Sequence, residues 1–162
     1  MLPLGFRAVS SKVLLLGTDR SSSVAVVAVA VAFVAASLLV ALPWEPIRTA
    51  GRYPIWAALV AVGLACAGYA GRHRGGLVAG WGATFLATIW IFVVPPLAAL
   101  VRGDTLGDGG YAIPRPSIVA LSPRAELLTG VRIGPIVALV TALTLGSAAF
   151  ALGAGLRRRS VR

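Results

Sequence analysis

Residues 133–156 read IGPIVALVTALTLGSAAFALGAGL, and the chain continues at once into Arg157, Arg158 and Arg159. The run holds no Asp, Glu, Lys, Arg or His. At about 1.5 Å per residue, its 24 residues make a helix of about 36 Å, enough to cross the roughly 30 Å of bilayer hydrocarbon. A triplet of arginines directly behind such a run is the usual mark of a cytoplasmic flank. This stretch is therefore read as a transmembrane helix, and the rest of the sequence repeats the pattern.

Three further runs without charge precede it. Residues 24–42 are 19 apolar or small residues closed by Pro43-Trp44-Glu45-Pro46. Basic Arg7, Lys12 and Arg20 stand before this run, as in a signal peptide, but its apolar core exceeds the usual 7 to 15 residues, so an uncleaved span is expected. Residues 53–70 open with Pro54 near a helix N-terminus, where the missing N–H costs nothing, and end in the basic turn 71–76. Residues 77–101 contain Pro95-Pro96, which removes two backbone donors and predicts a break or kink.

The whole-chain composition agrees. Of 162 residues, 58% are hydrophobic and 12% charged, with a mean hydropathy of +0.90, whereas soluble domains carry about 25% charged residues. A body this small cannot enclose so much apolar surface, which excludes a water-soluble enzyme. Disorder is excluded by the wealth of Ala, Val, Leu and Ile. The net charge of +10 would suggest nucleic acid in a soluble protein. Here the basic residues cluster between apolar runs, as topology signals beside an anionic leaflet do, so no nucleic-acid partner is expected.

Counting Lys and Arg on alternate sides of the four runs gives nine on one side and six on the other. Arg72, Arg74, Arg157, Arg158 and Arg159 belong to the richer side, as do residues 1–23 and the tail 157–162. Both termini are therefore expected in the cytoplasm, with a short outer loop at 43–52 and a long one at 102–132. Tyr53, Trp56, Trp90 and Trp44 fall near the outer interface and Tyr69 and Trp81 near the inner one. Residues 2–16 carry apolar side chains at helical spacing and fit either a short interfacial helix or a basic tail. In the long loop, Ser122-Pro123 fits an N-cap followed by N1, predicting a short helix through Leu128.

No motif for chemistry stands out. His73 is the sole histidine, between Arg72 and Arg74, and lacks a second metal ligand. Cys66 is the only cysteine and reads as a small packing residue. Asp104 and Asp108 in a glycine-rich turn fall short of the six to eight oxygens calcium requires. Gly107-x-Gly109 lacks the flanking strand, helix and Lys of a phosphate loop. No catalytic residue, metal site or cofactor is expected.

What rises above background is helix packing. Gly76, Gly80, Thr84 and Thr88 recur every fourth residue in the third run, and Gly130, Gly134, Ala138, Ala142 and Gly146 in the fourth. Gly63, Ala67 and Gly71 form a shorter row in the second run, and Ala28, Ala32 and Ala36 in the first. Such rows let helix backbones approach closely in lipid, where packing replaces the hydrophobic effect as the force between helices. The openings and endings of runs two and four also echo one another, although proline at N1 and basic inner flanks are general to spans.

The expected fold is all-α: an integral membrane protein forming a four-helix transmembrane bundle, with two tandem hairpins as a variant. The expected role is non-enzymatic, a structural or accessory protein of the cell membrane. It would contact an anionic inner leaflet and bind itself or another membrane protein through small-residue helix faces. The alternative is a small-solute transporter or channel subunit without an ionisable coupling residue of its own in the membrane.

Overall fold

The computed structural model of the chain describes residues 11–17, 24, 28–33, 35–36, 52–103 and 122–159. Expectations for residues 1–10 and 18–23, for 25–27, 34 and 37–42 of the first apolar run, for the 43–51 connection with Trp44, and for Asp104, Gly107, Asp108 and Gly109 lie outside these residues. Among the described residues the secondary structure is helical throughout, without strands. A short helix α1 covers Ser11–Leu16, α2 Arg52–Arg72, α3 Leu77–Arg102 and α4 Pro123–Thr141. A π-helical turn at Ala142–Gly146 joins α4 without a break to α5, Ser147–Arg159. Residues 28–33 and 35–36 are helical as well.

Among the described residues, two helices are long and apolar enough to cross a membrane: Leu77–Arg102 and the continuous Pro123–Arg157. Within α2, Trp56–Arg72 is apolar as well. Of the two long apolar windows, 33% and 22% are buried, so most of each faces outward. Apart from one aromatic cluster, most of the buried side chains are small, with Ala67, Ala70, Ala83, Ala99 and Ala138 fully shielded. Large apolar residues face out instead, among them Ile136, Leu139, Val140, Leu145 and Leu152 along the last helix. Contiguous outward apolar surface of this kind marks a face that meets lipid or a partner.

α3 is the central element, packed against α2 on one side and α4 on the other. The first apolar segment joins at one end, where Ala36, Trp56, Leu59 and Trp90 form a cluster flanked by Phe33, Ile91 and Val94. Trp90 is wholly buried, and Phe33 meets its ring edge-on at 6.3 Å between centroids. Aromatic pairs favour this geometry because the positive ring edge meets the negative face.

At the opposite end the chain turns tightly from α2 into α3. The backbone N–H of Gly75 donates to Ala70 O at 2.7 Å, and Arg74 adopts the left-handed conformation at φ 59°. This six-to-one bond around a left-handed residue is a Schellman ending, with an arginine where glycine is usual. α1 ends against the same turn. Gly17 and Gly76 both have positive φ, and a Cβ on Gly17 would lie 2.5 Å from Arg74 O, so only glycine fits.

Two boundaries differ from the sequence expectation. α3 runs unbroken through Pro95 and Pro96, both buried. Proline at these positions deprives the carbonyls of Ile91 and Phe92 of their helical donors. The last helix starts at Pro123, ten residues before the apolar run and without stopping at Leu128. Ser122 caps it, accepting from Ala125 N at 3.3 Å, and proline occupies the first turn. The start expected from Ser122-Pro123 is the start of the whole helix, which leaves Pro135 in its interior and brings Glu126, counted as a loop residue, into its first turn.

Candidate functional site

The residues singled out for helix packing gather at three close approaches. The first joins α2 to α3. A Cβ on Gly63 would sit 2.8 Å from the Ala87 Cβ and 3.3 Å from the Thr84 Cα, and one on Gly80 would lie 3.2 Å from the Ala67 Cβ. The rows Gly63, Ala67 and Gly80, Thr84 thus mesh with each other. Each threonine hydroxyl bonds back to its own helix: Thr84 Oγ1 donates to Gly80 O at 3.0 Å and Thr88 Oγ1 to Thr84 O at 2.8 Å. Buried hydroxyls are satisfied in this way without a partner helix.

The second approach joins α3 to α4 beside the prolines. A Cβ on Gly130 would overlap the carbonyl oxygen of Phe92, the acceptor that Pro96 leaves without its usual donor. Gly134 lies under the same residue, its notional Cβ 2.9 Å from the Phe92 Cβ. Glu126, only 7% exposed, lies one helical turn before Gly130 on this face. Ala138 and Ala142 continue the buried side.

At the π-turn the last helix changes neighbours. A row of every fourth residue drifts about 40° per step around a straight α-helix, so it cannot face one partner indefinitely. Gly146 is the last member that meets α3, with its notional Cβ 3.1 Å from Thr84 Oγ1 and 3.5 Å from the Trp81 ring. One residue on, Trp81 Nε1 donates to Ser147 Oγ at 2.9 Å, tying α3 to the start of α5. The π-turn, with its wider loop of backbone, marks the point where packing against α3 gives way to packing against α2.

The third approach, α5 on α2, is the closest of the three. A Cβ on Gly153 would overlap Gly68 O, and one on Gly71 would overlap Phe150 O. Gly68 and Gly153 stood outside the sequence rows because the four-residue period does not continue from Gly146 to Gly153. The tertiary pairing of these helices makes them visible.

Gly76, expected at the head of the α3 row, lies before the helix as its N-cap with φ 84° and packs against Leu16 and Gly17. It shapes a turn instead of a helix interface. Arg72, Arg74 and Arg157, expected from the sequence to set topology, come to one end of the helices, where Arg157 Nη1 donates to Gly71 O at 3.4 Å. Arg158 and Arg159 are the last two residues of α5. His73 is exposed and stacks on Tyr69, with 4.2 Å between ring centroids. Among the described residues, no three His, Cys, Asp or Glu side chains gather as metal ligands would.

No family model matches this sequence, and neither a curated protein nor a solved structure is significantly similar to it. The physical arrangement alone therefore carries the functional reading.

Proposed function

We propose that this chain is a multi-pass protein of the cell membrane, a four-helix transmembrane bundle with both termini cytoplasmic, that serves a structural or accessory role and not an enzymatic one. The observation that carries the reading is the inverted distribution of side-chain size: alanine, glycine and threonine between the helices, leucine, isoleucine and valine outside them. In lipid, outward apolar side chains cost nothing, while small residues allow the close van der Waals contact that holds helices together. Arg72, Arg74 and Arg157 at one end support the cytoplasmic assignment of that end.

The small rows of α2, α3 and α4 are engaged within the chain. A partner helix would accordingly meet the outer apolar surface, for which the exposed face of the last helix around Ile136, Leu139, Val140 and Leu143 is the longest stretch. The transport alternative draws no support from the interior: the Thr84 and Thr88 hydroxyls donate to their own helix, and Phe92 O lies against Gly130.

Reporter fusions after Leu16, at Asp108 and after Arg162 test the topology, with an internal signal expected for the first and third and an external one for the second. An external C-terminus overturns the four-span arrangement. Liposomes holding the purified protein alone should show no solute-driven proton movement or solute uptake. Reproducible uptake by the isolated chain would replace the accessory role with transport.

A further inference from the structure

At the basic end, α2 and α5 leave an open groove of about 490 Å³ on the outer surface of the bundle. Its floor is the glycine contact: with no side chain on Gly68 or Gly153, the two backbones nearly touch and the flanking residues stand up as walls. Leu64 lines one wall and Leu152 and Leu156 the other, the latter two 71% and 58% exposed. Toward the end of α2 the lining turns polar, with Tyr69 and then Arg72. Arg157 lies beside this end, its guanidinium near Gly71 O, and Arg158 and Arg159 follow it in sequence.

We infer that this groove is a binding site for one anionic phospholipid, with an acyl chain between Leu64, Leu152 and Leu156 and the phosphate at Arg72. The inference rests on the membrane reading above. Its volume falls within the range of small-molecule sites, and its apolar walls match a hydrocarbon chain. The local charge selects the headgroup. Arg72 stands at this end with Arg74 and Arg157, and no acidic residue among those described is near it, since Glu126 belongs to the first turn of α4 at the far end, where Arg102, Arg124 and Arg132 outnumber it. Basic pockets between helices at the cytoplasmic face are the general form of anionic headgroup recognition. Arginine suits the task because its planar fork can donate two hydrogen bonds to one phosphate. Tyr69 fits an interfacial position, where an aromatic body and a polar tip meet the headgroup level. Alanine at 68 or 153 would fill the floor, so glycine there serves both the helix contact and the depth of the groove.

The test is native mass spectrometry of the full-length protein in mild detergent, with added dioleoyl phosphatidylglycerol or dioleoyl phosphatidylcholine. Retention of the anionic lipid should exceed that of the zwitterionic one severalfold. Arg72→Gln should lower it about fivefold, the share of one basic contact near an anionic surface. Ala65→Trp places a large ring in the groove from an exposed position on α2 and should abolish it. Arg132→Gln, on exposed α4 surface away from the groove, should change nothing. Circular dichroism of each variant separates lost binding from lost folding, and Arg72→Gln carries the test if Ala65→Trp misfolds. Equal retention of the two lipids, an unaffected Arg72→Gln, or displacement by millimolar glycerol phosphate alone overturns the proposal. So does a dimer that Ala65→Trp splits without changing lipid retention, since the groove would then hold a second copy of the chain. Alkaline carbonate extraction of cell membranes keeps the two readings apart. A protein released by carbonate fails the membrane reading itself, whereas one retained in the pellet without lipid selectivity fails only this inference.

Discussion

Adding one methyl group to Gly153 should damage this protein, while the same change two residues later should help it. Alanine is better than glycine inside a helix by about 0.8–1 kcal/mol, and both positions receive that gain. At Gly155 nothing lies within 4 Å of the new Cβ, so the gain stands alone. At Gly153 the Cβ would overlap Gly68 O and come within 2.7 Å of its carbonyl carbon and 3.1 Å of its Cα. These are backbone atoms of α2, with no rotamer to yield. Relief requires moving α5 outward by on the order of 1 Å, since ordinary contact begins near 3.4 Å, and this also opens the Gly71–Phe150 approach. Overpacking of this kind costs about 1–3 kcal/mol, and a rigid backbone neighbour puts it near the upper end. After the helix gain, Gly153→Ala should lose about 2 kcal/mol. Gly155→Ala should gain about 1 kcal/mol, so the variants separate by about 3 kcal/mol, or roughly 6–12 °C in melting temperature for a chain of this size. Thermal unfolding in mild detergent, followed by far-ultraviolet circular dichroism, reads the difference. Equal melting temperatures for the two variants would refute the glycine contact between α2 and α5.

Three further outcomes can be checked by the same melt. Gly134→Leu should be destabilising by at least about 2 kcal/mol through collision with the Phe92 side chain, whereas Val140→Leu, 56% exposed on the same helix, should be close to neutral. Arg74→Gly should stabilise the α2–α3 turn by up to about 1 kcal/mol by relieving the left-handed conformation, and Arg74→Val should cost about 1–2 kcal/mol. Ser147→Ala removes the acceptor of Trp81 Nε1 and should cost about 0.5–1.5 kcal/mol, with a change in tryptophan fluorescence that Gly155→Ala should not produce.

The main helices could be read along the chain because a long apolar run is a local property of the sequence. Length and lack of charge mark Leu77–Arg102 and the 133–156 run as long and apolar enough to cross a bilayer without knowledge of their neighbours. Basic flanks are local in the same sense, and Arg72, Arg74 and Arg157 do reach a common end of the fold. The cap at Ser122 was legible too, since an N-cap is a property of four consecutive residues. Its consequence was not, because whether a helix stops at Leu128 or continues depends on what its face finds to pack against.

Partnership between helices is where sequence alone ran out. Rows of small residues show that close approach is possible, but a chain with 29 alanines and 19 glycines offers more such rows than contacts. The tertiary structure decided that Gly80 meets Ala67, that Gly130 covers the carbonyl left by Pro96, and that Gly76 belongs to a turn. It also decided that the π-turn at Ala142–Gly146 hands the last helix from α3 to α2, which pairs Gly153 with Gly68 outside the four-residue rhythm and opens the groove that ends at Arg72. The physical reason is range. Hydrophobicity, charge and capping act within a turn or two of one helix, whereas pairing is chosen by the fit of two backbones distant in sequence, and a single added turn of π-helix is enough to redirect it.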